Sequence, residues 1–223
     1  MGYGLCHQLP ERSFAAGGVQ LPVCARDTGI YFGILISLAL IAYLHRGERP
    51  RELPTPAGWV AIALMIGAMG LDGVTEYSGL RGTTNELRLI TGLLAGFAVG
   101  ALIAPMLNDE FWKTSTRVAV LNTPWRLAIW LSAVPLAYVV MYWGMPLLGV
   151  GYAVLTALAI VATLVLVNLV LVCMLPMFER RAVRIADSWL AILVALGVSF
   201  TEIWLAGLLR DGTNAFVIML LRR

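Results

Sequence analysis

The feature that most constrains this chain is a series of long stretches with no Asp, Glu, Lys or Arg: residues 28–44, 53–71, 89–108 and, longest, 127–178. An α-helix rises about 1.5 Å per residue, so roughly 20 such residues cross the ~30 Å hydrocarbon layer of a membrane. The 52 residues of 127–178 are too many for one crossing and are interrupted by Gly144-Met145-Pro146 and Gly149-Val150-Gly151, which predicts two spans joined by a tight hairpin. A further span runs over 184–209 with Asp187 and Glu202 inside it, and the second continues past residue 71 through Asp72 and Glu76 toward Tyr77, where Ser78-Gly79 signals a turn. The expected fold is all-α, a polytopic integral-membrane bundle of about six transmembrane helices.

Composition agrees. Hydrophobic residues make up 60% of the chain and charged ones only 13%, against roughly 45–50% and ~25% in soluble domains, and the mean hydropathy is +0.83. A soluble protein is excluded. The net charge of +3 is too small and too dispersed for a nucleic-acid surface, so the expected partners are membrane lipids and other membrane-protein subunits, with no nucleic acid. The 223 residues leave no room for a second folded unit. We expect a single membrane domain: a polar leader cap over 1–27, the six-helix bundle over 28–209 and an interfacial tail over 210–223, whose apolar piece 215–221 is too short to cross. The first 26 residues lack the apolar core of a signal peptide, and Cys6 follows no lipoprotein-type stretch, so neither cleavage nor lipid anchoring is expected.

Alternate loops carry nine basic residues on one side (Arg46 to Arg51, Lys113 to Arg126, Arg180 to Arg184) and seven on the other. The positive-inside rule then makes the first side cytoplasmic and both termini extracytoplasmic, in a multi-pass protein of the cell membrane. Gly29-x-x-x-Gly33 and Gly92-x-x-x-Gly96-x-x-x-Gly100 each put small residues on one helical face, a device for close helix packing in lipid.

Polar residues crowd the side that bears the amino terminus. Asp72 and Glu76, four apart, share a helical face, and Asp72 lies about one and a half turns below the interface, where an unpaired charge costs at least ~2.5–3.5 kcal/mol. Arg12, Arg81 and Arg88 are at hand to pair with them. The arrangement reads two ways: as an ion-paired plug that fixes the bundle, or as a site in which Asp72 and Glu76 act as acid and base while Arg12, Arg81 and Arg88 bind an anion. On the opposite face, Asp187 is expected to pair with Arg180, Arg181 or Arg184; Asn168 is expected to bond another helix, and Cys173 to be an inert hydrophobe. Cys6 and Cys24 in the leader can form a disulfide, stay as free thiols, or join His7 and Asp27 in a Cys, His, Cys, Asp set suited to zinc, with Cys24-x-x-Asp27 at knuckle-like spacing.

Three blocks carry a resemblance: Cys6-His7-Gln8-Leu9-Pro10-Glu11-Arg12-Ser13; Leu21-Pro22-Val23-Cys24-Ala25-Arg26-Asp27-Thr28-Gly29-Ile30-Tyr31; and Asp72-Gly73 with Thr84-Asn85-Glu86-Leu87-Arg88-Leu89-Ile90-Thr91-Gly92. Together they resemble a domain-of-unknown-function family of small polytopic membrane proteins of bacteria and archaea. The resemblance covers about the first half of the chain and brings no assigned activity. In that family the position of Asp27 is usually Cys, which implies a Cys, His and Cys-x-x-Cys set and favours metal; Asp27 departs from it, and a carboxylate can replace a thiolate on zinc but not in a disulfide. Three functions follow as expectations: a metal-dependent hydrolase or transferase working on a lipid or polyprenyl-phosphate headgroup, an ion or small-solute carrier with Asp72, Glu76 and Glu202 along its path, or a structural or accessory subunit of a larger membrane complex.

Overall fold

The structure is a computed structural model that describes Gly4, Cys6 and residues 8–221, with side chains through Asn214. Among the described residues, six helices are long and apolar enough to span a membrane. They are α1 (Ala25–Leu44), α2 (Pro56–Tyr77), α3 (Asn85–Phe111), α4 (Pro124–Val139), α5 (Val150–Cys173) and α6 (Trp189–Leu221). Each of the first three opens on a side chain that accepts a backbone N–H of the first turn: Cys24 from Asp27, Thr55 from Gly58 and Thr84 from Leu87. Beyond α4 the chain widens into a π turn at Val140–Gly144 and then tightens into a 3-10 turn at Met145–Leu148. Gly149, at φ 55°, then reverses it into α5, where the hairpin was expected.

Among the described residues, four short strands complete the fold. The leader forms a 3-10 turn (Pro10–Arg12) and an antiparallel pair, β1 (Ala15–Ala16) with β2 (Val19–Gln20). On the other face, β3 (Pro50–Glu52) runs parallel to β4 (Thr116–Ala119). Sequence periodicity gives no sign of these pieces because each is only two to four residues long.

The tightest packing joins α1 and α3. A Cβ on Gly29 would lie 2.6 Å from the Leu89 carbonyl oxygen, one on Gly33 2.9 Å from that of Leu93, and one on Gly100 2.7 Å from the Ser37 side chain; Gly92 and Gly96 meet the carbonyls of Arg26 and Ile30 still more closely. The two glycine stripes therefore face each other and let the backbones touch. Around this pair the main core gathers Ile41, Leu89, Leu93, Phe97 and Trp130. Trp130 Nε1 donates to Ser37 Oγ (2.9 Å), which donates to the Phe97 carbonyl (2.9 Å), so the buried polar atoms of this core are satisfied. A second cluster, with Cys173 fully buried beside Phe111 and Leu169, ties α5 and α6 to the end of α3. Cys173 is the apolar filler expected. Asn168 Nδ2 donates to Ser199 Oγ (2.9 Å) and Glu202 Oε2 (2.8 Å), the interhelical bond expected of it.

Two expectations are corrected. The sixth helix does not end at residue 209: it runs unbroken to Leu221, because Asp211, Gly212 and Asn214 are tolerated inside a helix although each lowers its propensity. Asp187 does not pair with a neighbouring arginine side chain among the described residues. Its carboxylate accepts the backbone N–H groups of Val183 (3.1 Å) and Arg184 (2.6 Å), as an acid at a helix start does, and Arg180 pairs instead with Asp109 (2.9 Å).

Candidate functional site

α1 begins, α2 ends and α3 begins at the face where the leader lies. The leader is tied to itself by Gln8 Nε2 donating to the Pro22 carbonyl (2.9 Å) and Gln20 Nε2 to the Gln8 carbonyl (3.0 Å), and to the start of α3 by Asn85 Nδ2 donating to the Glu11 carbonyl (3.1 Å). α6 closes on it from the other side, with Arg210 donating to the Cys6 carbonyl and Gly4 against the backbone of Ala206 and Gly207.

Asp72 is 2% exposed and surrounded by donors. Its Oδ2 accepts from Arg26 Nη2 (2.5 Å) and Thr91 Oγ1 (3.2 Å), its Oδ1 from Arg81 Nη2 (2.6 Å) and Thr83 Oγ1 (3.1 Å). One helical turn on, Glu76 accepts from Arg26 Nη2 (2.9 Å) and Arg88 Nη2 (2.6 Å), with Arg12 at 3.7 Å. Four guanidinium groups thus meet two carboxylates, leaving the cluster with excess positive charge. Sequence reasoning identified Arg12, Arg81 and Arg88 but missed Arg26, which alone touches both acids. The available signal was its position in the first turn of α1, where the helix dipole disfavours a cation unless an acid from elsewhere holds it. The close approach of α1 to α3 carries it there. Arg26 Nε is buried without a hydrogen-bond partner among the described residues.

Beside this cluster the ligand atoms of Cys6, Cys24 and Asp27 all lie within 4.8 Å of one another. His7, the fourth expected member, lies outside the described residues. The Cys24 N–H donates to Cys6 Sγ (3.3 Å) and the Asp27 N–H to Cys24 Sγ (3.5 Å), two amide contacts of the kind that stabilise sulfur carrying negative charge. The hydrogen bond from the Cys24 thiol pulls the Cys6 thiol down to about 6, helped by backbone N–H groups and opposed by burial; Cys24, donor to Cys6 and buried near Asp27, is pushed up. The two sulfurs are free cysteines rather than a disulfide. The Asp27 carboxylate accepts no hydrogen bond and makes no ion pair among the described residues. Cys24-x-x-Asp27 is also the spacing of an N-cap and the third residue of a helix, which is how the local chain uses it.

One cavity of about 170 Å³ joins the two groups: Cys6, Cys24 and Asp27 line it together with Arg12, Arg26, Arg88 and Glu76. Asp72 and Arg81 are not among its lining residues. Glu202 is not among its lining residues and is engaged with Asn168 instead.

A six-helix membrane protein with thiols and arginines gathered under a folded leader is the class that fold and site define. Within it, the chain belongs to the family described as "Predicted membrane protein (DUF2085)", which matches residues 6–102, from Cys6 into the second half of α3. It is 38% identical to an uncharacterised protein of Methanocaldococcus jannaschii over 109 residues, 49% of this chain and 67% of the relative. It is 37% identical to an uncharacterised protein of Methanothermobacter thermautotrophicus over 98 residues, 44% of this chain and 83% of the relative. No solved structure matches it.

Proposed function

We propose that this protein binds a zinc ion through Cys6, Cys24 and Asp27, with His7 or water in the fourth position, and uses the adjoining arginine-lined cavity to receive the phosphate of a lipid or polyprenyl headgroup for hydrolysis or transfer. The observation that carries the reading is the single 170 Å³ cavity into which both groups open. The donor set fits the metal. Two sulfurs and a carboxylate match zinc's preferences, the sulfurs already accept amide N–H groups, and the Asp27 carboxylate has no hydrogen-bond or ion-pair partner among the described residues. A metal there would supply Lewis-acid polarisation of a phosphoryl oxygen.

The chain's own residues would do the rest. Arg12, Arg26 and Arg88 neutralise and orient the phosphate, and Arg26 Nε, without a hydrogen-bond partner among the described residues, offers a donor to it. Glu76 lines the cavity and is placed to exchange a proton with the bound group, whereas Asp72, with four donors, holds Arg26 and Arg81 in place. The saturation of Asp72 also favours a second reading, in which the cluster is a plug fixing the bundle of an accessory subunit. The orientation proposed is that of the arginine count, with this face extracytoplasmic.

Elemental analysis of the detergent-purified chain, with a free-thiol count, tests the reading. The expected result is one equivalent of zinc in the wild type and none in Cys24→Ser. A metal-free wild type with Cys6 and Cys24 oxidised to each other would overturn it.

A further inference from the structure

At the opposite membrane face, about 30 Å along α1, a larger cavity of about 360 Å³ opens between the end of α1, the turn that follows and the end of α3. Its two halves differ chemically. The inner wall is apolar, formed by Leu38, Ile41 and Ala42 of α1 and Ala104 and Leu107 of α3, all within the spans. The mouth carries Arg46 and Arg49, brought round by a turn in which Glu48 N–H donates to the His45 carbonyl (2.9 Å) and Gly47 adopts φ 84°.

Neither arginine is within salt-bridge distance of a carboxylate among the described residues. The Arg46 guanidinium lies 4.0 Å over the Tyr43 ring and that of Arg49 3.7 Å over the Trp112 ring. Stacking fixes a guanidinium plane while leaving its N–H edge free to donate. Glu48, the one acid lining the cavity, is already held by Arg126 (3.1 Å) and His45 (3.1 Å). Two oriented cations, neither paired with a carboxylate among the described residues, therefore stand at the interface above an apolar trough that descends into the hydrocarbon. Tyr43 and Trp112 are the aromatic residues that favour that depth.

We propose that this cavity is a binding site for an anionic phospholipid, its headgroup phosphate between Arg46 and Arg49 and one acyl chain along the α1 and α3 wall. The ligand class follows from the division of the cavity. A free phosphate would leave the trough empty, and an apolar molecule would leave both arginines without an anion.

Native mass spectrometry of the full chain, released from detergent containing either phosphatidylglycerol or phosphatidylcholine, reads the site directly. Phosphatidylglycerol is expected to be retained at least tenfold more tightly than phosphatidylcholine. Arg46→Gln with Arg49→Gln is expected to remove that preference, with helix content checked by circular dichroism, while Arg184→Gln, basic and exposed on the same face but outside the cavity, leaves it intact. Adding inorganic phosphate should not displace the lipid. Equal retention of the two lipids by the wild type, equal loss in Arg184→Gln, or full displacement by inorganic phosphate would each overturn the proposal; so would an unchanged preference in a folded double variant.

Discussion

Arg26 shares one nitrogen between two acids, and no neighbour can take its place: Arg81 reaches only Asp72, and Arg88 only Glu76. Removing it leaves two carboxylates at a buried position with reduced compensation, a loss that costs about 3–5 kcal/mol when a buried pair is broken. Arg26→Met should therefore lower unfolding stability in detergent by about that amount, and adding Asp72→Asn should recover part of it; a strictly additive double variant would show that the two are not coupled. His45 makes a different prediction. It is 1% exposed, and its Nε2 accepts the Leu121 N–H (3.3 Å), a bond that requires that nitrogen to be unprotonated. Burial holds its proton affinity below the ordinary 6.5, in spite of Glu48 beside it. The unfolded chain binds the proton near 6.5, so the folded state is fully favoured above that pH and loses stability as pH falls from there through the lower folded value. Thermal unfolding of the wild type should weaken more between pH 7 and 5.5 than that of His45→Gln, and parallel pH profiles would contradict the assignment.

Between elements, the α1 and α3 glycine stripes decide where the site residues go, because Gly92 faces the Arg26 carbonyl itself. A methyl group there must push α1 outward at the residue that bridges Asp72 and Glu76. Gly92→Ala should destabilise the bundle by about 1–3 kcal/mol, as overpacking does, whereas Gly197→Ala, with nothing within 4 Å, should be neutral or slightly stabilising in the same unfolding assay. The stripes were legible in sequence, as were the six spans, since charge-free length and small-residue spacing are one-dimensional properties. The carboxylates and three of their four arginines were legible for a related reason: a charge inside an apolar span demands a partner, and few stood near. What was not legible depends on three dimensions. Arg26 reaches the acids only because α1 lies against α3, Asp187 caps a backbone rather than pairing with the adjacent arginines, and the His45, Glu48 and Arg126 cluster joins residues far apart in sequence.

Across the whole molecule, the polar site and the family match occupy the same stretch. Residues 6–102 hold Cys6, Cys24, Asp27, both acids and all four arginines. The leader and the first three helices thus supply the lining of the candidate site, and α6 touches the leader through Arg210; α4 completes the core through Trp130, while α5 and α6 meet each other through Asn168, Ser199 and Glu202. Such a division predicts that disturbing the second half should leave the chemistry of the first intact. Asn168→Leu removes the interhelical donor and should cost about 1 kcal/mol, the scale of hydrogen bonds between membrane helices, read as a lower unfolding temperature in detergent. If the proposed zinc is bound, the same variant should keep the metal content and thiol count of the wild type, because Asn168 on α5 is not among the residues that line the candidate site. Loss of metal in a folded Asn168→Leu protein would instead mean that α6, which reaches the leader through Arg210 and the Cys6 carbonyl, is part of what holds the sulfurs together.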